Sequence, residues 1–140
     1  MKILVGHDGS KHASKALEEA IRLADKFGGE IVVLSVVPDL CLSSEEISVN
    51  ECNLVSNTMR AEMTQRMSKV GEEAARKGVK VELVVKEGRP ADVIVDTAES
   101  IGAGLIVVGS KGRHKVKRLF LGSISSAVAS EAKCNVLIIK

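Results

Sequence analysis

Apolar runs alternate with amphipathic stripes along the whole chain. Lys2-Ile3-Leu4-Val5-Gly6 is a short apolar run that ends in turn chemistry at Asp8-Gly9-Ser10. That pattern predicts a buried strand followed by a helix cap. Ala13, Ala16, Leu17, Ala20, Ile21, Ala24 and Phe27 then recur at three- and four-residue steps and make one helical stripe, stopped by Gly28-Gly29. Residues 30–37 read as a second strand, closed by Pro38. Residues 38–53 are less regular, and Ser43 and Glu46 have capping-box spacing, which predicts a helix start there. A longer stripe follows at Val55, Met59, Met63, Met67, Val70 and Ala74 and ends near Gly78. It predicts a helix packed on the sheet, with an adaptable docking surface at Met59, Met63 and Met67 as the competing reading. Residues 79–86 predict a third strand. Gly88-Arg89-Pro90 opens a third helix, with Pro90 suited to its first turn and Ala91, Ile94, Val95 and Ala98 as its stripe. Residues 105–108 are a fourth buried strand, a basic glycine-punctuated loop follows, and a short helix begins near Ser123. Residues 135–139 close the pattern as a fifth strand.

Strands that alternate with amphipathic helices predict an α/β fold, with a parallel sheet covered by helices on both faces and right-handed crossovers. Nothing suggests a linker or a repeat, so residues 1–140 read as a single domain. An open parallel sheet binds ligands beyond the carboxyl ends of its strands, where the strand order reverses. With the first strand central, that crevice lies between strands 1 and 4. It brings His7-Asp8-Gly9-Ser10 toward Gly109-Ser110-Lys111-Gly112.

Composition narrows the classes. Hydrophobic residues are 45% and charged residues 27%, which excludes a disordered chain. No apolar run approaches the roughly 20 residues of a membrane span. The apolar start turns polar at His7-Asp8, too soon for a signal peptide, and the expected location is the cytoplasm. A net charge of +2 and only two aromatic residues, Phe27 and Phe120, argue against a general nucleic-acid binder. Cys41, Cys52 and Cys134 form an odd, scattered set without a CxxC; reduced thiols are expected, with a redox pair of Cys41 and Cys52 across the loop as the competing reading.

The stretch 109–126 carries the candidate chemistry. No acidic residue lies between Glu99 and Glu131, and residues 111–118 hold five Lys/Arg and one His. Glycines let backbone amides approach a phosphate closely. Gly122-Ser123 opens a helix, so free amides and the helix dipole point at one place, and the Ser123 hydroxyl adds a donor for a phosphate oxygen. A solvated basic loop is the competing reading. A GxxxxGK[ST] loop and a GxGxxG fingerprint are both absent, which argues against P-loop and dinucleotide-binding enzymes.

With those residues in view, the chain resembles the universal stress protein family over its whole length. The resemblance rests on Ile3-Leu4-Val5-Gly6-His7-Asp8-Gly9-Ser10, on the spacing Gly109-x2-Gly112-x9-Gly122-Ser123, and on Cys134-Asn135-Val136-Leu137-Ile138-Ile139. It implies a five-stranded doubly wound sheet of order 3-2-1-4-5, a homodimer, and ATP binding. Carried over by position, Asp8 would hold the ribose hydroxyls and the Val36 backbone would meet the adenine. Gly109 would lie beside the ribose. Gly112, Gly122, Ser123 and the Ile124 amide would hold the phosphates. Mg²⁺ or Mn²⁺ bridging phosphate oxygens is implied as well. Two positions depart from the family pattern: His7 replaces an apolar or small residue, and Asn135 replaces the usual proline.

The expected function is an ATP-binding stress-response or signalling module with little or no chemistry, because no poised nucleophile–base pair is visible. A slow ATP hydrolase or phosphotransferase, and a dimer that binds no nucleotide, stand as alternatives. RNA contact through 111–118 is a weaker one. Asp8 also reads as a helix N-cap. The last strand, with nothing after it to cover its edge, predicts dimerisation through Val136–Ile139.

Overall fold

The structure is a computed structural model that describes residues 1–39, 48–111 and 121–140. The elements run β1 (Lys2–Gly6), α1 (Lys11–Phe27), β2 (Glu30–Pro38), α2 (Val49–Arg76), β3 (Val81–Gly88), α3 (Pro90–Ile101), β4 (Leu105–Gly109), α4 (Ser123–Glu131) and β5 (Asn135–Ile139). The strands lie in the order β3-β2-β1-β4-β5, and every neighbouring pair is parallel. This is the expected α/β doubly wound sheet.

The faces that the helices cover follow from this order and crossover handedness. From β1 outward to β2 and β3 the chain steps in one direction, so right-handed crossovers put α1 and α2 on one face. The step from β3 back to β4, and on to β5, runs the other way and puts α3 and α4 on the opposite face. Alternation along the central strands then feeds two cores. Ile3 and Val5 join Ala16, Leu17, Ala20 and Met67 on the α1/α2 face. Leu4 joins Ile94, Val95, Ile106 and Val128 on the α3/α4 face. Helices on both faces explain why the inner strands are runs of Val, Ile and Leu.

Local signals set most boundaries. Ser10, not Asp8, caps α1: its side chain accepts from the Ala13 amide at 3.1 Å, and Gly28 ends the helix at φ 69°. Pro90 occupies the first turn of α3. The capping box of α2 is Ser48 with Glu51, in which each side chain accepts from the other's backbone amide. The expected Ser43–Glu46 box lies outside the described residues. The thiol expectation needs a correction. Cys134 is free, but Cys52 is buried and disulfide-bonded. Sequence spacing cannot show that a cysteine meets a second sulfur, because the deciding quantity is a distance across the fold. Cys41 lies outside the described residues.

A buried polar layer caps the α1/α2 core at the carboxyl end of β1. The His7 amide donates to the Leu34 carbonyl at 2.9 Å and extends the β1–β2 pairing by one residue. The Ser35 hydroxyl hydrogen-bonds the His7 carbonyl and lies 3.1 Å from the Met67 sulfur. His7 Nδ1 accepts from the Gly9 amide at 3.1 Å, which places the proton of the neutral ring on Nε2. Burial lowers the His7 pKa, against the opposing fields of Asp8 and Glu73.

Two predictions follow from this packing. Ile106 is fully buried, whereas Leu83 on the edge strand β3 is 38% exposed. Ile106→Ala is expected to cost about 2–5 kcal/mol in urea unfolding, and Leu83→Ala clearly less. The second concerns acid. Because the folded pKa of His7 lies below its unfolded value of about 6.5, the unfolded chain binds more protons in that interval. The stability due to neutral His7 is complete above the unfolded pKa and falls as pH drops through it toward the folded value. His7→Val should flatten this part of the stability–pH profile; an unchanged slope in the variant would assign it to other groups.

Candidate functional site

The two central strands part company at their carboxyl ends. β1 and β4 pair only from Ile3↔Leu105 to Val5↔Val107. Beyond that point β1 stays with β2 through the His7 amide, and β4 stays with β5 through Gly109↔Ile139. The split opens a crevice with a cavity of about 420 Å³, a size suited to a small organic ligand. Its walls differ in character. Asp8, Ser10, Lys111 and Ser123 make one part polar. Val36, Pro38, Met59, Met63, Pro90 and Ile94 make another part apolar.

The polar part is built around the start of α4. The Gly122 amide donates to the Ser110 carbonyl at 2.6 Å. The Ser125 hydroxyl reaches the same carbonyl at 3.0 Å. These bonds tie the helix start to the end of β4, and the Ser110 amide is held in turn by the Ile139 carbonyl at 2.7 Å. Gly122 is the N-cap of α4 and offers no side chain to the first-turn amides. Ser123, Ile124 and Ser125 therefore present the uncapped first turn of α4, and all three line the crevice. Amides at a helix start with the positive end of its dipole form an anion site. The Lys111 ammonium adds a full positive charge at the same crevice.

The β1–α1 loop forms the facing side. Asp8 Oδ1 accepts from the Ser10 amide at 2.9 Å, so the carboxylate is fixed by its own turn. Gly9 turns the chain at φ 85°, and Arg66 of α2 lies against it: an added Cβ would come within 3.0 Å of the guanidinium. Gly109, across the crevice, meets the start of α1. A Cβ there would fall 2.7 Å from His12 Cβ and 2.8 Å from the His12 carbonyl carbon. Backbone cannot yield as a side-chain end can, so this approach requires glycine. The His12 ring lies beside it, with Nδ1 buried and unpartnered among the described residues.

Most of the expected residues meet at this crevice. Asp8, Val36, Gly109, Gly122, Ser123 and Ile124 all line it; Gly112 lies outside the described residues. Two of these glycines also have a local role in the packing. The Gly122 amide is engaged by the Ser110 carbonyl, which ties the start of α4 to the end of β4. Gly109 is glycine because of His12. Within the basic run, Lys111 faces the crevice, and residues 112–118 lie outside the described residues. Sequence reasoning missed Ser125, Met59 and Met63. Ser125 follows Ser123 in a Gly-Ser-x-Ser start, a pattern from which a capping role was readable. The methionines read as a core stripe in preference to an adaptable docking surface, and neither reading places them at the crevice. Among the described residues no helix is long and apolar enough to cross a membrane, and no group of three or more His, Cys, Asp or Glu could hold a metal ion.

This architecture has close counterparts. The universal stress protein YxiE of Bacillus subtilis is 34% identical, over 99% of this chain and 98% of its own. The solved universal stress protein UspA from Lactobacillus plantarum superposes with a TM-score of 0.90 at 26% identity, covering 100% of this chain and 97% of that one. A universal stress protein solved in complex with cAMP superposes with a TM-score of 0.66 at 25% identity, covering 100% and 97%. The model of the universal stress protein family matches residues 1–140, and the chain belongs to that family.

Proposed function

We propose that the crevice binds an adenine nucleotide, with ATP as the physiological ligand, and that the chain acts as a nucleotide-dependent module in a stress response. One observation carries this reading: the uncapped start of α4, with Ser123, Ile124 and Lys111, faces the same cavity as the apolar wall of Val36, Pro38 and Pro90. A nucleotide has the matching division, an anionic chain at one end and a flat heterocycle at the other. The relative solved with cAMP supports a nucleotide of this class.

Ser123, Ile124 and Lys111 hold the phosphates in this proposal. Asp8 accepts from the ribose hydroxyls, and the Val36 backbone meets the base edge. Gly109 keeps the ribose floor flat, and Gly112 and Gly122 shape the phosphate loop. A Mg²⁺ or Mn²⁺ ion would arrive with the triphosphate and be held chiefly by its oxygens, given the acid-poor stretch between Glu99 and Glu131. It supplies charge neutralisation there. Such a site is of use where ATP is abundant, and the proposed role is in the cytoplasm. The module pairs with a second copy through β5, an edge strand with Val136–Ile139 half-buried in the single chain.

The chain has no Trp and no Tyr, so co-purified nucleotide dominates its ultraviolet spectrum near 260 nm. The expected result is released adenine nucleotide, or calorimetric ATP binding in the micromolar range. Ser123→Ala should weaken binding about tenfold, the scale of one hydrogen bond to a charged group. Asp8→Ala should weaken adenosine and ATP alike, because it acts on the ribose. Gly122→Val should abolish binding while circular dichroism shows the fold retained. A clean spectrum with a flat titration would reject the nucleotide reading. For the dimer, light scattering at micromolar concentration should give twice the chain mass; a monomer would reject pairing through β5.

A further inference from the structure

Met59, Met63 and Met67 recur every four residues on α2 and so share one helix face. Their surroundings change step by step along that face. Met67 is 2% exposed and sits in the core beside Ser35. Met63 is 8% exposed and Met59 is half-buried, and both line the crevice. The fourth methionine, Met1, is 60% exposed, but it lies at the opposite end of the sheet, where its carbonyl accepts from the Glu30 amide. Met59 is thus the one methionine both open to solvent and set in the crevice wall.

A thioether is apolar and polarisable and packs well on a flat ring. Its sulfoxide is polar and chiral and disrupts such contacts. We propose that Met59 is an oxidative modification site that controls the crevice: a hydroperoxide converts its thioether to the sulfoxide, and nucleotide affinity falls. With hydrogen peroxide, one oxygen is transferred to sulfur, the S–O bond forms, the O–O bond breaks, and water leaves. Sulfur is oxidised by two electrons and the peroxide is reduced by two. Pro38, Pro90, Val36 and Ile94 line the same crevice and offer the new S–O dipole no side-chain donor. The sulfoxide therefore either stays hydrated and keeps water at the wall, or turns outward and leaves a gap. Either result removes apolar contact from the base. The inference rests on the reading of the crevice as a nucleotide site.

The test uses the full chain treated with hydrogen peroxide, peptide mass spectrometry to locate added oxygen, and calorimetric titration with ATP. Expected are oxygen at Met59 and Met1 before Met63 and Met67, and ATP affinity lowered about tenfold. Methionine sulfoxide reductase, which does not act on cysteine, should restore the affinity. Bound ATP should slow oxidation at Met59 and leave Met1 unaffected. Met59→Gln, a polar stand-in for the sulfoxide, should be weak without peroxide. Met59→Leu, compared with its own untreated affinity, should show no change on treatment. Oxygen at Met59 with unchanged affinity would overturn the inference, as would a Met59→Leu variant that loses affinity like the unsubstituted chain. So would oxidation of Met63 ahead of Met59. Fresh protein that fails to bind ATP would instead overturn the proposed function, so the two failures are separable.

Discussion

Beyond Val5 and Val107 the two central strands stop bonding to each other, although each keeps its outer neighbour. That split is the constraint on which the crevice depends. It arises because the chain leaves β1 toward one face of the sheet and leaves β4 toward the other, as crossover handedness requires. Two departing loops cannot occupy the same space, so the strands open at that end and only there. The remaining groups adapt to the opening. Gly109 lets the start of α1 close over the end of β4, and the Ser110 carbonyl gathers Gly122 and Ser125 so that α4 begins at the gap.

The crevice is therefore assembled from backbone more than from side chains. The first-turn amides of α4 and the Asp8 turn are fixed by hydrogen bonds within the protein. Their positions need little ordering when a ligand arrives, which lowers the cost of binding. A helix start contributes roughly 0.3–1 kcal/mol toward an anion, up to about 2 when partly buried. These contributions are modest singly, and in the proposed role it is their convergence with Lys111 that would favour a phosphate chain. The apolar lining residues Val36, Pro38, Pro90 and Ile94 would bury a ring in that role without reading its edges by side-chain hydrogen bonds.

Much of this was legible in the chain. Period-two and apolar runs located all five strands, and the Pro90 and Gly122-Ser123 starts located α3 and α4. The meeting of Asp8 with Gly109 and Ser123 followed once strand 1 was taken as central. What was not legible depended on distance across the fold. Asp8 and Ser10 are both good caps by residue type, and only the Ser10–Ala13 bond decides between them. Gly122 reads as part of a helix start, and that its amide bonds the Ser110 carbonyl is visible only in the fold. Cys52 is a candidate for a redox pair by sequence, but its disulfide depends on a distance that the sequence does not hold.

The methionine stripe shows how a correct pattern can carry two meanings. α2 has 28 residues and spans about 42 Å at 1.5 Å per residue. β3 has 8 residues and spans about 26 Å at 3.3 Å per residue. The helix must overhang the sheet, and its last turn, whose Ala74 carbonyl accepts from the Val79 amide, leads within a few residues into the amino end of β3. The overhang is thus at the carboxyl ends of the strands, over the crevice. Met67 and Ala74 face strands and are core. Met59, on the same face, faces the cavity. Val55, Leu54 and Val49, further out, are 42%, 68% and 76% exposed. A helical wheel assigns these residues by angle alone. It is helix length against strand length that separates the wall of the crevice from the core beneath it.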